Sequence, residues 1–334
     1  MKKKIAYISI ANAIAIIAVI IGHLDITGTN NDPRTPIANM ITAFGSFQMP
    51  LFMCISGFLF SMTSGFNKSY TDLVKSKMAR LLIPFLFLSL FTFCFKMCLP
   101  SSMLEHGVGL NSTYLYKMFF IPFRGPVPHL WFVVSLFTIF LISPIYKWSV
   151  KKTGYTIMVL GLLYVIHLIP SVISWFTNKE FLALDKTQYF IFWFYLGIVM
   201  QKYALVDKLN NWPTVVASGI SYTLLVYWIS FPLSADVCLL LGVIFVLSLS
   251  YKLSSVFENL FASWRNYTYQ IYLMHMFPIM GGGKYLYKTH LIDNDDVWFA
   301  ICWMLGLVLA IVIPTLVAKI VKKLPVLFKV LIGL

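Results

Sequence analysis

The chain has 334 residues, 59% of them hydrophobic, 17% aromatic and only 11% charged, and its mean hydropathy is +0.81. A soluble domain carries roughly 25% charged residues and does not repeat apolar runs of about 20 residues, so a soluble globular fold is excluded. The formal net charge of +14 would fit a nucleic-acid binder, but in so apolar a chain the bias of Lys and Arg toward cytoplasmic loops accounts for it first, and no nucleic-acid partner is expected.

Ten apolar runs follow one another, roughly at 5–22, 43–63, 79–99, 130–146, 155–174, 188–201, 213–232, 235–251, 267–283 and 297–318. Each approaches the length that crosses a hydrocarbon core about 30 Å thick. They predict an all-α polytopic membrane protein with about ten transmembrane helices in a lipid bilayer. The roughly ten-residue alternating segments of a β-barrel are absent. An even count puts both termini on one side. With that side cytoplasmic, the inner segments hold 18 of the 26 basic residues and only Asp72, Asp207 and Glu258 of the 12 acidic ones. This split predicts cytoplasmic termini. No intervening stretch is long enough for a soluble domain, so 1–334 reads as a single membrane-embedded domain with nothing appended. The Ala11-Asn12-Ala13 site leaves too short an apolar stretch before it for a cleaved leader, and the first run is read as helix 1.

Helix 1 ends on Ile20-Ile21-Gly22-His23. At 1.5 Å per residue, Ile5 to His23 covers about 27 Å, which places the imidazole near the outer water boundary. A group that titrates near neutrality and stands at such an edge can take a proton from a hydroxyl; the plainer reading is a histidine that ends a helix. Asp25 is two residues on, able to orient the ring if the helix has ended by then. Helix 2 carries Gln48-Met49-Pro50-Leu51-Phe52 and then Ser56-Gly57-Phe58. Ser56 is a polar candidate there, although small residues in membrane helices serve close packing first.

At the inner end of helix 3, Lys77 and Arg80 are three apart, a spacing that puts both cations on one helical face. Arg matches phosphate oxygens bidentately and Lys adds a point charge, so the pair predicts a phosphate clamp beside the alternative of ordinary positive-inside anchoring. The long outer loop, about 100–129, contains Arg124 and leads into Pro128-His129-Leu130-Trp131. A short amphipathic piece is predicted at Tyr114–Ile121. Arg124 is an outer cation for an anionic group, His129 an interfacial histidine, and Trp131 fits the aromatic belt. In helix 9, Tyr272-Leu273-Met274-His275 places a histidine inside the membrane, where an ionisable group is either functional or a helix contact. The Gly281-Gly282-Gly283 run reads as the end of that helix.

Other chemistries lack their signatures. There is no Gly-x-Ser-x-Gly elbow, no His-Glu-x-x-His zinc site and no phosphate loop. No metal site is predicted. Cys54, Cys94, Cys98, Cys238 and Cys302 form no Cys-x-x-Cys pair and read as buried small hydrophobes. No internal repeat of the kind transporters use is visible.

Taken in order, these segments resemble the integral-membrane acyltransferase 3 family. The resemblance rests on Gly22-His23 after the first apolar run, Met49-Pro50-Leu51-Phe52 leading to Ser56-Gly57-Phe58, and the basic pair before Leu82-Ile83-Pro84. His129-Leu130-Trp131-Phe132 and Tyr269-Gln270-Ile271-Tyr272-Leu273-Met274-His275 complete it. It implies about ten transmembrane helices, a multi-pass protein of the bacterial plasma membrane, and transfer of an acetyl or other short acyl group. The donor would be cytoplasmic acyl-CoA, with acetyl-CoA the expected one. The acceptor would be a hydroxyl of a surface or lipid-linked carbohydrate. By the same resemblance His23 is the general base, and Lys77-x-x-Arg80 stands where the family has Arg-x-x-Arg for the acyl-CoA donor. Asp25, Ser56, Arg124, His129, Trp131, Tyr272 and His275 are the substrate or oxyanion candidates. Where many members carry an Asp-x-x-Arg-like pair early in helix 1, this chain has Ser9 and Asn12. Read from the residues alone, the alternative is a carrier or flippase of a glycan or small anion, with His23 and His275 lining its path.

Overall fold

The computed structural model describes residues 2–24, 36–98, 112–169, 180–228, 234–289 and 296–334. Asp25 lies outside them. Every regular element among the described residues is helical. In chain order the principal helices are α1 (Lys2–His23), α2 (Pro36–Met62), α3 (Tyr70–Lys77), α4 (Ile83–Met97), α5 (Ser112–Phe120), α6 (Trp131–Leu141), α7 (Ser143–Ser149), α8 (Thr153–Leu168) and α9 (Leu184–Lys202). They continue with α10 (Leu205–Lys208), α11 (Trp212–Trp228), α12 (Ser234–Val256), α13 (Thr268–Met274), α14 (Met276–Pro278), α15 (Tyr285–Thr289), α16 (Asp296–Val321) and α17 (Val326–Leu331).

Prolines set where these helices bend. Pro84 has no N–H to give the carbonyl of Arg80 and its ring crowds that turn. The chain answers with a wider turn at Met78–Leu82, where the N–H of Ile83 reaches back five residues to the carbonyl of Met78. Thus α3 and α4 stay one path, Tyr70–Met97. Ser69 starts it, its hydroxyl accepting from the N–H of Asp72 at 3.1 Å. Pro144 separates α6 from α7, and the two helices are bent by 52°. A second wide turn, Ile279–Lys284, follows Pro278. The glycine run therefore does not end the helix as its composition predicts. Instead Gly282 and Gly283 allow α16 to approach: a Cβ at Gly282 would lie 2.6 Å from Leu309, and a Cβ at Gly306 only 3.6 Å from the Cα of Gly283.

Among the described residues, four helical stretches are long and apolar enough to cross a bilayer: Ala6–His23, Tyr70–Met97, Ala235–Val256 and Val297–Val321. Pro128–Leu141 with Ser143–Ser149 makes a fifth if the bent pair is one span, and Ser46–Met62 and Thr153–Leu168 are shorter apolar helices. The protein is thus an all-helical, multi-pass membrane protein. The predicted piece at Tyr114–Ile121 appears as α5.

The chain divides into two compact units, Met1–Phe58 with Met200–Ile320, and Leu59–Val199 with Val321–Leu334. In the first, α1 is largely buried: Ile10, Ala11, Ala13, Ala15, Ile16, Ala18 and Ile20 have no exposed surface, while Ser9, Asn12, Ile14 and Ile17 are half-buried. Its alanines let α12 pack along it. Tyr7, near its start, packs against Phe58 and Tyr251, with ring centroids 6.1 and 5.1 Å away. Ser46 and Tyr222 share a 2.6 Å hydrogen bond, and Phe47 meets the Tyr222 ring edge-on at 5.4 Å. In the second unit the core is aromatic, with Phe60, Phe140, Tyr146 and Tyr195 gathered around Phe194. The Tyr195 hydroxyl is 2.7 Å from that of Ser149.

Cys54, Cys238 and Cys302 are buried as small hydrophobes, but Cys94 and Cys98 are exposed. They continue the outward stripe of α4 begun by Leu86 and Leu90, at four-residue spacing, which an apolar solvent covers.

Close approach makes glycine necessary at position 242, where a Cβ would lie 2.8 Å from the Cβ of Phe47, whereas nothing lies within 4 Å of a Cβ at Gly161. Gly242→Val is expected to destabilise the protein by about 1–3 kcal/mol through overpacking, while Gly161→Ala in the open middle of α8 should gain up to about 1 kcal/mol. Thermal unfolding of both variants in detergent, against wild type, checks the opposite signs.

Candidate active site

In the first unit, the end of α1 meets α13. The carbonyl of Ile21 accepts from the N–H of Leu24 at 3.1 Å, which tightens the last turn and holds half-buried His23 at the tip. The His275 ring stands 5.3 Å from the His23 ring, centroid to centroid, with the planes inclined by 40°. His275 has no exposed surface. Its Nδ1 lies 2.7 Å from the carbonyl oxygen of Tyr272. A carbonyl only accepts, so Nδ1 carries the hydrogen and the neutral ring keeps its acceptor lone pair on Nε2. The Tyr272 ring is 5.9 Å from His275 and 6.4 Å from Phe52 on α2.

Sequence reasoning quoted Gln48 only as part of a helix start, and the structure gives it a place in this cluster. A Cβ at Gly22 would lie 3.1 Å from Gln48 Nε2, so the bare backbone beside His23 is what admits the amide. Gln48 Oε1 is buried and has no hydrogen-bond partner among the described residues. An unmet buried acceptor costs about 1–3 kcal/mol and marks a place for a ligand's hydroxyl or N–H. The sequence signal was the pairing of a glycine before the histidine with an amide in an apolar helix, visible only once the two helices are known to touch. Ser56 lies on the same helix as Gln48, half-buried and eight residues on, about 12 Å along the axis and away from the two imidazoles.

The remaining candidates lie in the second unit. Lys77 precedes the wide turn at Met78–Leu82 and Arg80 lies within it, and the two differ in burial. Lys77 is half-buried, with Nζ 3.9 Å from the centroid of the Phe140 ring, and Arg80 is exposed. The three-residue spacing thus yields one ammonium held on an aromatic face and one outward guanidinium. Both cations fit phosphate or another anion. Arg124 is ion-paired with Glu180, and its side chain is 55% exposed. His129 is buried in the tight turn Pro128–Leu130 that opens α6. Trp131 stacks with Phe123 and with Phe190, each 5.5 Å away and tilted by 15° and 25°. Its ring is half-buried in this aromatic stack.

A sixth residue of this type escaped the sequence reading. His167, at the end of α8, is buried with Nδ1 2.7 Å from the Tyr189 carbonyl and the rings of Tyr164, Tyr189, Phe192 and Trp193 around it. It stands in an apolar run with no motif beside it. Among the described residues no group of three or more His, Cys, Asp or Glu side chains is placed to hold a metal ion. The chemistry on offer is therefore acid–base chemistry at imidazoles in the first unit and anion binding at cations in the second.

Trp131→Ala is expected to cost about 3–5 kcal/mol, because it empties a stacked site. Arg124→Ala should cost no more than about 1 kcal/mol, as exposed ion pairs do. Denaturation midpoints of the two variants test whether the stack, not the ion pair, holds this corner.

Comparison with known proteins now has a geometry to meet. The model of the family described as an acyltransferase domain, acyltransferase 3, matches residues 5–319. No curated protein and no solved structure matches the chain with significance. The match runs from the start of α1 to the end of α16 and takes in both imidazoles of the His23–His275 cluster and both cations, Lys77 and Arg80: this chain is a membrane protein that belongs to the acyltransferase 3 family.

Proposed function

We propose that the protein is a membrane O-acyltransferase that moves an acetyl or other short acyl group from cytoplasmic acyl-CoA to a hydroxyl of an extracytoplasmic carbohydrate. The observation that carries this reading is the neighbouring imidazoles of His23 and His275 at the tip of a largely buried helix, in a chain of an acyltransferase family. Ten transmembrane helices within a single catalytic domain, with both termini cytoplasmic, complete the proposed topology and put His23 at the outer face of a bacterial plasma membrane.

The donor supplies an activated thioester carbonyl. Its phosphates are assigned to Lys77 and Arg80, which supply the only chemistry such groups ask of a protein, positive charge and N–H donors. His23 in its neutral form removes the proton of the acceptor hydroxyl as that oxygen attacks the thioester carbon. The imidazolium then returns the proton to the departing sulfur, so the histidine ends as it began. Buried Tyr272 is the candidate donor to the developing oxyanion. Gln48 Oε1, an acceptor in need of a donor, is placed to receive a second hydroxyl of the sugar.

His23→Ala is expected to lower acyl transfer from labelled acetyl-CoA to the membrane glycan fraction by at least about 10²-fold while the protein still inserts and folds. Wild-type product levels would refute the assignment. CoA should raise the unfolding temperature of purified protein, and Arg80→Ala should weaken that stabilisation. Movement of a glycan across vesicles in the absence of any CoA thioester, with no thermal response to CoA, is the result expected of a carrier.

A further inference from the structure

We propose that the corner between α7 and α8, with the outward face of α8 beside it, binds an anionic phospholipid. Lys147, Lys151 and Lys152 take the headgroup phosphate, and an acyl chain lies along Gly154, Met158 and Gly161. The site belongs to the second unit and does not depend on the acyl-transfer reading.

Three observations converge on it. The first is charge: three exposed lysines fall within residues 147–152, and no acidic residue occurs from Ser143 to Leu168. A lysine at the end of a membrane helix raises the local share of anionic headgroups by about 5-fold. The second is placement. Beyond Pro144, α7 is bent by 52° from α6 and turns Ile145 and Trp148 outward, both exposed. The Trp148 ring stacks on Tyr155 of α8 at 4.5 Å with the planes inclined by 12°, and Lys152 Nζ stands 5.5 Å from the centroid of Tyr155. Rings with one apolar and one polar end settle at the headgroup level, so this stack marks where the phosphate layer crosses the corner. The corner is also tied down: the Thr156 hydroxyl donates to the Ser149 carbonyl at 3.0 Å, and the Ser149 hydroxyl to the Tyr146 carbonyl at 2.9 Å. The third is the surface beside it. Ile157, Met158, Leu162 and Val165 are more than half exposed, and nothing lies within 4 Å of a Cβ at Gly154 or Gly161. The spacing of 154, 158 and 161 puts both glycines and Met158 on one face, which leaves a shallow apolar groove.

Dimensions and charge select the occupant. One leaflet is about half of a hydrocarbon core some 30 Å thick, so an acyl chain entering beside Lys152 runs about ten residues along α8, past Met158 and Gly161. Glycines on an outward helix face also suit packing against another helix. A second copy of this chain is disfavoured by the lysines: a two-fold axis normal to the membrane would set them against their own counterparts at the same depth, with no carboxylate on α7 or α8 to relieve the repulsion. A phospholipid with a negative headgroup satisfies the cations and fills the groove at once.

The test reconstitutes the full chain into bilayers of phosphatidylglycerol and phosphatidylcholine, with one lipid or the other brominated near the top of its acyl chains so that it quenches a tryptophan it touches. The difference between wild type and Trp148→Phe isolates the signal of Trp148. Phosphatidylglycerol should occupy the position at least about 5-fold more often than its share of the bilayer, the effect of a single lysine or more. Raising the salt to about 1 M should shrink that preference by screening. The triple variant Lys147→Gln, Lys151→Gln, Lys152→Gln should bring the two lipids to near parity, and Gly161→Phe, which fills the groove, should lower the preference with the lysines intact. Equal quenching by both lipids in wild type overturns the proposal, as does a preference that survives the triple variant. Quenching by neither lipid, the result expected if a second copy covers this face, overturns it as well, and an unchanged preference in Gly161→Phe removes the groove from the site. Should the triple variant fail to fold, Lys152→Gln and the salt series on wild type decide.

Discussion

The burial of most of α1 is the constraint from which the first unit follows. From Ile8 to Ile20 its buried side chains touch protein and not lipid, and no ionisable group occurs between Tyr7 and His23. Such a helix is fixed in position, rotation and height by everything packed around it. A histidine at its tip is placed by the whole helix rather than by a loop, which is the kind of support that catalytic groups require, since errors of an ångström are expensive in rate. The small side chains that make the burial possible also explain why α12 lies along α1 and why Gly22 can sit against Gln48.

The class of the fold was legible because apolarity and length are written in composition. Helices α1, α12 and α16 coincide with apolar runs, and the run of helix 3 continues inward through the basic turn to Ser69. What was not legible is which face of each helix turns inward. In water, polarity separates the faces; in lipid, both are apolar, so Cys94 and Cys98 read like Cys54 although they face outward. Local rules misled where the backbone departs from a regular helix. The three-residue spacing of Lys77 and Arg80 assumes 3.6 residues per turn, and Pro84 imposes a wider one. Three consecutive glycines signal a stop in water, but against α16 they signal contact. The two imidazoles were visible singly, as polar groups in apolar runs. Their proximity was not, because nothing in either helix names the other.

The second unit handles its cations by a different device. Aromatic side chains make up 17% of the chain, and here they form a connected core. Lys77 lays its ammonium on Phe140, which meets Phe194 edge-on at 5.3 Å. A cation over an aromatic face gains about 2 kcal/mol when desolvated, enough to offset part of the penalty of half-burial without a carboxylate. A cation held this way is still attractive to a phosphate. Arg80 is exposed, and Arg124 is paired to Glu180.

Charge also decides how the proposed reaction is distributed over α1. Placing Asp and Arg early in this helix, as the related family pattern does, would set two ions among neighbours that leave little room for water. Ser9 and Asn12 put neutral polar groups there instead, with a much smaller desolvation penalty. With its interior neutral, the helix brings no fixed charge near the imidazole at its end, and the electrostatic state of His23 is left to its immediate contacts. The proton taken from the acceptor becomes the one new charge in the cluster, and it is created beside the thioester whose departing sulfur is about to need it.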